Sequence, residues 1–330
     1  MKEISDKLRA RFCKDNNLQV GIFKEPYFTE RLLLFDKLYP DKYIWRSWES
    51  FKKLVQTTYG SEQEYFEEYN RIKDEAIKSI KESNGFNRFN SIDMNQFRCK
   101  NMYFSSGNIF HEINDRRIFL SIDMIKANFT SLSIFDQEIF KGMQTWEDFI
   151  QSFTDYNHII HSKYIRQVIL GNCNPKRHIT YEKYLMDRLL TVFLESDIFN
   201  QLRVVSFSND EIIFDITDSY IDTDMIELID KMLQTTADII SNGTKSYVWR
   251  HKMFKLFKIG DVGYVEKDLR GNHIGLKCVN QFVLPFIARK ILDEPYEESD
   301  YIFMHDSKLL SKFIEEPKIE LPGELINSGN

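Results

Sequence analysis

The chain has 330 residues and a mass of 39.4 kDa, enough for two domains at roughly 100–200 residues each. It is 42% hydrophobic and 28% charged, so it can bury a core, and its formal net charge of −6 excludes a uniformly basic nucleic-acid coat while leaving room for a local basic groove. No run approaches 18 consecutive apolar residues and the opening MKEISDKLRARF has no apolar core, so neither a membrane span nor a secretory signal is expected, and a membrane is not an expected partner. Cys13, Cys99, Cys173 and Cys278 are separated by 86, 74 and 105 residues, which excludes a CxxC zinc ribbon and a small disulfide framework. A reducing cytoplasmic compartment is the expectation.

Residues 1–90 read as mostly helical. Ser61 to Glu64 fits the S-x-x-E capping box, and an amphipathic run follows to about Lys81, where Ser83-Asn84-Gly85 reads as a stop. Trp45 and Trp48 are core candidates. The short apolar run Ile118-Phe119-Leu120-Ser121-Ile122 predicts a buried strand. Residues 136–170 and 176–200 read as helical. Arg203–Phe207 and Ile212–Phe214 read as strands flanking the polar break Ser208-Asn209-Asp210, and Asp222–Ile240 as an amphipathic helix. Lys255–Ile259 and Tyr264-Val265, joined by Gly260-Asp261-Val262-Gly263, predict a hairpin, and Gly275–Val279 is strand-like. The tail from Glu315, with two prolines, two late glycines and many acids, is expected to be mobile. The expected division is a helical region over 1–100, an α+β core over 101–290 with a helical insertion at about 136–200, and a C-terminal extension over 291–330.

Three segments carry candidate chemistry. Ser121-Ile-Asp123-Met-Ile-Lys-Ala127-Asn128-Phe129 puts an acid at the end of an apolar strand. Ser162-Lys163-Tyr-Ile-Arg166-Gln167 runs on to Gly171-Asn-Cys-Asn-Pro175-Lys176-Arg177, a basic stretch with a glycine–proline turn. Ser208-Asn209-Asp210-Glu211 places acids between two strands. Two carboxylates on rigid strand ends are what a two-metal phosphoryl-transfer site needs, with cations nearby to neutralise phosphates. Lys163, Arg166, Lys176 and Arg177 are the candidate cations. Segment 161–188 carries a net +4 and segment 245–258 a net +5, so positive charge is strongly segregated in an acidic chain. Trp249, Phe254 and Phe257 interleave with the second set, the pattern of a backbone-tracking surface with stacking groups.

In this order the segments resemble motifs A, B and C of the palm domain of template-dependent polymerases. Asp123, Ala127 and Phe129 match the reverse-transcriptase form of motif A, D-x-x-x-A-[aromatic]-F, with Asn128 where an aromatic sugar gate would stand. Asp210-Glu211 resembles motif C, and Lys163 to Arg177 occupies the place of motif B without matching its reverse-transcriptase form. The resemblance covers residues 115–260. It implies an α+β fold with a palm-like antiparallel sheet and helices packed on one face. It also implies template-dependent nucleotidyl transfer with two Mg²⁺ ions (or Mn²⁺) held by Asp123, Asp210 and Glu211. The implied partners are a nucleic-acid template and primer and nucleoside triphosphates. Asn128, Phe129, Lys163, Arg166, Lys176, Arg177 and Lys277 are then the substrate-contacting set.

Each segment also has a plainer reading. Asp123 suits a helix N-cap, Asp210-Glu211 a polar turn, Gly171–Pro175 a helix–helix turn, and the basic strand a solvated face with core aromatics. His158 and His161 lack a third ligand, and Cys173 lacks a catalytic partner. No P-loop, dinucleotide fingerprint, nucleophile elbow or H-E-x-x-H is present. Three rival readings remain: another palm enzyme (a nucleotide cyclase or a tRNA nucleotidyltransferase), a non-catalytic nucleic-acid-binding protein on a degenerate palm, and a viral or mobile-element structural protein.

Overall fold

Among the residues described by a computed structural model, twelve α-helices and eight strands follow one another along the chain. It describes residues 4–101, 103–104, 107–197, 199, 202–219, 223–245, 247–271, 273–305 and 309–326. The helices are α1 (Asp6–Asp15), α2 (Tyr27–Leu38), α3 (Ile44–Leu54), α4 (Glu62–Glu82), α5 (Asn84–Ser91), α6 (Ala127–Phe135), α7 (Trp146–Gln151), α8 (Asn157–Ile160), α9 (Lys163–Gly171), α10 (Pro175–Leu194), α11 (Thr223–Ser241) and α12 (Leu284–Leu292). The strands are β1 (Ile118–Met124), β2 (Arg203–Phe207), β3 (Glu211–Asp215), β4 (Trp249–Ile259), β5 (Gly263–Asp268), β6 (Ile274–Lys277), β7 (Ile302–His305) and β8 (Leu309–Lys312). Strands one to six pair as an antiparallel sheet in the order β2-β3-β1-β4-β5-β6, and β7 and β8 form a separate ribbon, so the α+β class is as the sequence predicts. No helix among the described residues is long and apolar enough to cross a membrane.

The chain divides into two compact units that do not follow chain order. One comprises residues 1–68, 112–116 and 256–330; the other comprises 69–111 and 117–255. The expected divisions near residues 100 and 290 therefore do not mark the compact units. In the first unit, Trp48 is the hub of an aromatic core, with ring centroids 5.0 Å from Phe12, 5.1 Å from Phe28 and 6.1 Å from Phe51. The described part of the tail, residues 315–326, is packed in this unit. Ile319 and Leu325 are buried, and Lys290 and Lys267 donate to the carbonyls of Ile319 and Glu324. Apolar residues spaced along an acidic segment are enough to anchor it. Residues 327–330 lie outside the described residues.

The second unit holds β1 to β3 and the first seven residues of β4. β1 alternates: Leu120, Ile122 and Met124 point to one face, Phe119, Ser121 and Asp123 to the other. The first face is covered by helices. The Phe193 ring of α10 stacks on Phe214 of β3 at 5.6 Å, Trp249 Nε1 donates to Met186 Sδ of α10, and His251 meets Asp230 of α11. Two expectations change here. Ser83-Asn84-Gly85 stops α4 but also starts α5, because the Ser83 hydroxyl accepts from the Phe86 amide. Residues 136–170 are not one helical stretch. Asp136, Thr145 and Ser162 each cap a new start, accepting from the amides of Glu138, Asp148 and Ile165, and so cut the segment into short helices. Helix α11 is as predicted, except that Asp222 lies outside the described residues.

Candidate active site

The antiparallel register decides which side chains meet. Asp123 of β1 lies opposite Glu211 of β3 on one side and Arg250 of β4 on the other. Directly opposed residues project from the same face of a sheet, so the three form a row. The next row is Ile213, Ser121 and Lys252. Glu211 therefore starts a strand instead of sitting in the turn, and the Ser121 hydroxyl donates diagonally to its Oε1. Arg250 donates from Nε and Nη2 to the single oxygen Oδ2 of Asp123, at 2.9 and 2.7 Å. Its side chain is 71% exposed and that of Asp123 28%.

Asp210 occupies the turn before Glu211. Its carbonyl accepts from the Met124 amide at 2.7 Å, which ties the turn to the end of β1. Partial desolvation, and then the negative charge of Asp123, push its carboxyl above the usual range, while Ser208 and the Lys163 charge pull the other way. Behind this pair lies Glu182 of α10, buried and bonded to His178 at 3.3 Å. Burial first, then Asp210 among other charges, raises the Glu182 carboxyl as well. Asp123 and Asp210 thus share one electrostatic environment, and negative charge there is costly.

The link from β1 into α6 is strained. Lys126, with φ of 49°, takes the left-handed region, which costs a non-glycine residue about 1–2 kcal/mol. Its ammonium pairs with Glu147, which also attracts His161 at 4.0 Å and the Arg166 guanidinium. Lys245 donates to the Gln144 carbonyl and lies 4.8 Å over the Phe129 ring; burial pushes it down to about 8. The sequence supplied Lys245 only as one charge in a basic segment, and nothing in it marked Lys126 or Glu182 as neighbours of the candidate acids.

The structure treats the expected substrate set unevenly. Lys163 acts on Asp210, and Lys176 is exposed on the first turn of α10. Asn128 is half-buried, its Oδ1 accepting the Phe129 amide. Phe129 is a packing residue: it is buried, with its ring 4.6 Å from Phe140 and 6.1 Å from Trp146. Arg177 is also taken. Its guanidinium donates to the carbonyls of Phe89 and Ile92, holding the end of α5. Lys277 belongs to β6 in the other unit, 3.7 Å from Glu266. Trp249, Phe254 and Phe257 are buried and do not offer stacking faces; the exposed ring beside the basic strand is Tyr247, at 81%. The rings are buried on both faces of this central strand, Trp249 opposite Met124 on the helix-covered face and Phe254 opposite Phe119 on the other.

Two consequences can be measured. Arg177→Gln is expected to destabilise the protein by about 1.5–3 kcal/mol, the range for hydrogen bonds to a charged group, whereas Lys176→Gln leaves stability unchanged. Urea denaturation separates the two variants, and equal stabilities would contradict the assigned bonds. Asp210→Asn is expected to raise the melting temperature at pH 7. The sign follows from linkage: a carboxyl raised by folding is favoured protonated, so its charge costs stability once pH passes the folded value. The gain should vanish at pH 3, where Asp210 is largely protonated in both states. A destabilised Asp210→Asn at pH 7 would contradict this picture.

The donors suit a hard cation. Arg250 engages only Oδ2 of Asp123, and the mutual repulsion of Asp123 and Asp210 is what a cation relieves. Among the described residues no group of three or more His, Cys, Asp or Glu is assembled to hold a metal. Mg²⁺ tolerates that, because it binds through one or two carboxylates and completes its shell with water and phosphate oxygens. No family model, curated protein or solved structure matches the chain.

Proposed function

We propose that the chain is a Mg²⁺-dependent nucleotidyltransferase of the palm type, acting on a nucleic-acid template and primer with nucleoside triphosphates. The observation that carries this reading is the placement of Asp123 and Asp210 on a strand end and the adjoining turn, each within the other's electrostatic reach. Asp123 and Asp210 hold the cation, and Glu211, fixed by Ser121, is the nearest further carboxylate for a second ion. A Mg²⁺ held by these carboxylates would supply a lowered pKa for an attacking hydroxyl and charge neutralisation for the transferred phosphate. Lys163 and Arg250 orient the phosphates, and Tyr247 gives a base a face to stack on. Asn128 occupies the sugar position that the motif A alignment assigns.

The test is incorporation of labelled ribo- and deoxynucleotides on primed RNA and DNA with Mg²⁺ or Mn²⁺. Turnover lost in both Asp123→Asn and Asp210→Asn supports the reading; turnover undiminished in either overturns it. One observation favours a second reading. Arg250 neutralises Asp123, as it would in a non-catalytic nucleic-acid-binding protein built on a degenerate palm. Salt-sensitive nucleic-acid binding without metal-dependent turnover would select that alternative.

A further inference from the structure

We propose that Arg250 is a positioning residue that couples metal binding to phosphate binding: in the free protein it occupies Asp123, and it leaves for a substrate phosphate, freeing that carboxylate for the cation. The inference rests on the metal-site reading above and deepens it.

Three features of the pair carry it. First, the register fixes the partners: Arg250 is the β4 residue opposite Asp123, so the contact is built into the strand pairing. Second, the hold is weak. Both guanidinium donors fall on one oxygen, and the arginine is 71% exposed, a geometry in which solvent screens the ion pair. Third, guanidinium forms bidentate bonds with phosphate at least as readily as with carboxylate, and Lys252, next on the same face, and Lys163 add to the pull of a polyphosphate. A divalent cation on Asp123 and a guanidinium on the same carboxylate repel each other. At about 5 Å in a solvent-like dielectric, that repulsion is worth roughly tenfold in affinity. Asp123 is therefore poorly available to metal until phosphate draws the arginine away. The order of binding follows: triphosphate favours metal and metal favours triphosphate, as linkage requires.

The experiment measures two affinities separately in the full chain: Mn²⁺ alone, by electron paramagnetic resonance, and inorganic tripolyphosphate alone, by calorimetry. Arg250→Gln is expected to bind Mn²⁺ about tenfold more tightly and tripolyphosphate about tenfold more weakly than wild type. Asp123→Asn is expected to lose Mn²⁺ and to bind tripolyphosphate several-fold more tightly, because the guanidinium is released. That gain should disappear in the Asp123→Asn/Arg250→Gln double variant. If it persists there, it reflects only the lost negative charge, and the inference fails. Mn²⁺ binding lost in Asp123→Asn but unchanged in Arg250→Gln would overturn the coupling alone. Mn²⁺ binding undiminished in Asp123→Asn would overturn the metal-site reading, and the coupling with it.

Discussion

Asp300→Ala is expected to cost about 3–5 kcal/mol of stability, the range for removing one partner of a buried ion pair. Asp300 is 1% exposed and bridges two buried arginines. Its Oδ1 accepts from Arg31 Nη1 at 2.8 Å, and its Oδ2 accepts from Arg289 Nε at 3.1 Å and from the Glu297 amide at 2.8 Å. Arg31 also donates to the carbonyls of Ser299, Asp300 and Ile302, which fixes its guanidinium in place. Burial pulls Arg31 below its ordinary value, and Asp300 is the main influence opposing that. Without Asp300, two cations from α2 and α12 remain buried with less compensation and cannot move to water without opening the packing between those helices. Asp300→Asn keeps the shape and should fall between wild type and Asp300→Ala. Chemical denaturation at pH 7 decides; a loss under 1 kcal/mol for Asp300→Ala would mean the arginines find other partners.

Asp123→Asn is expected to behave in the opposite way: little change in stability and a loss of at least a hundredfold in nucleotide incorporation. Arg250, which pairs with it, is mostly exposed, so breaking the pair strands no buried charge. The side chain keeps its size and its place in the row between Glu211 and Arg250. What is lost is the charge that the proposed Mg²⁺ site would need, and with it the arrangement proposed to stabilise the transferred phosphate. Melting curves and incorporation rates on the same preparations check both halves. A variant that unfolds would assign Asp123 to structure, and one that stays fully active would remove it from the site.

The strand and the turn that carry the two candidate acids are legible in the sequence, because Asp123 follows an apolar run and Asp210 sits in a polar break. Ile118 to Ile122 is bounded by polar residues, and the break at Ser208-Asn209-Asp210 interrupts two β-rich segments, so strand and turn could both be placed. Register could not. A slip of one residue would turn Asp123 to the helix-covered face, and nothing local says that Arg250 stands opposite it. The same applies to the basic segments, whose side chains are placed by tertiary partners. Whether Arg177 faces solvent or the carbonyls of Phe89 and Ile92 depends on a segment 85 to 88 residues upstream, and the rings of Trp249 and Phe254 are buried by strands and helices far away in sequence. The run from 136 to 170 misled differently. Its composition is helical, but Asp136, Thr145 and Ser162 are caps, and each offers the backbone a hydrogen bond that ends one helix and begins the next. The packed tail shows the converse: a few apolar residues among acids settle where a segment goes.

The proposed function requires Asp123 and Asp210 to hold a divalent cation jointly. The most direct measurement is anomalous scattering from crystals grown with Mn²⁺ and a non-hydrolysable nucleoside triphosphate. The expected result is a peak about 2.0–2.2 Å from one oxygen of each aspartate, with phosphate oxygens completing the shell and Arg250 turned away from Asp123 towards the phosphates. Nucleotide bound elsewhere, or bound with no metal between the two aspartates and Arg250 still on Asp123, would contradict it.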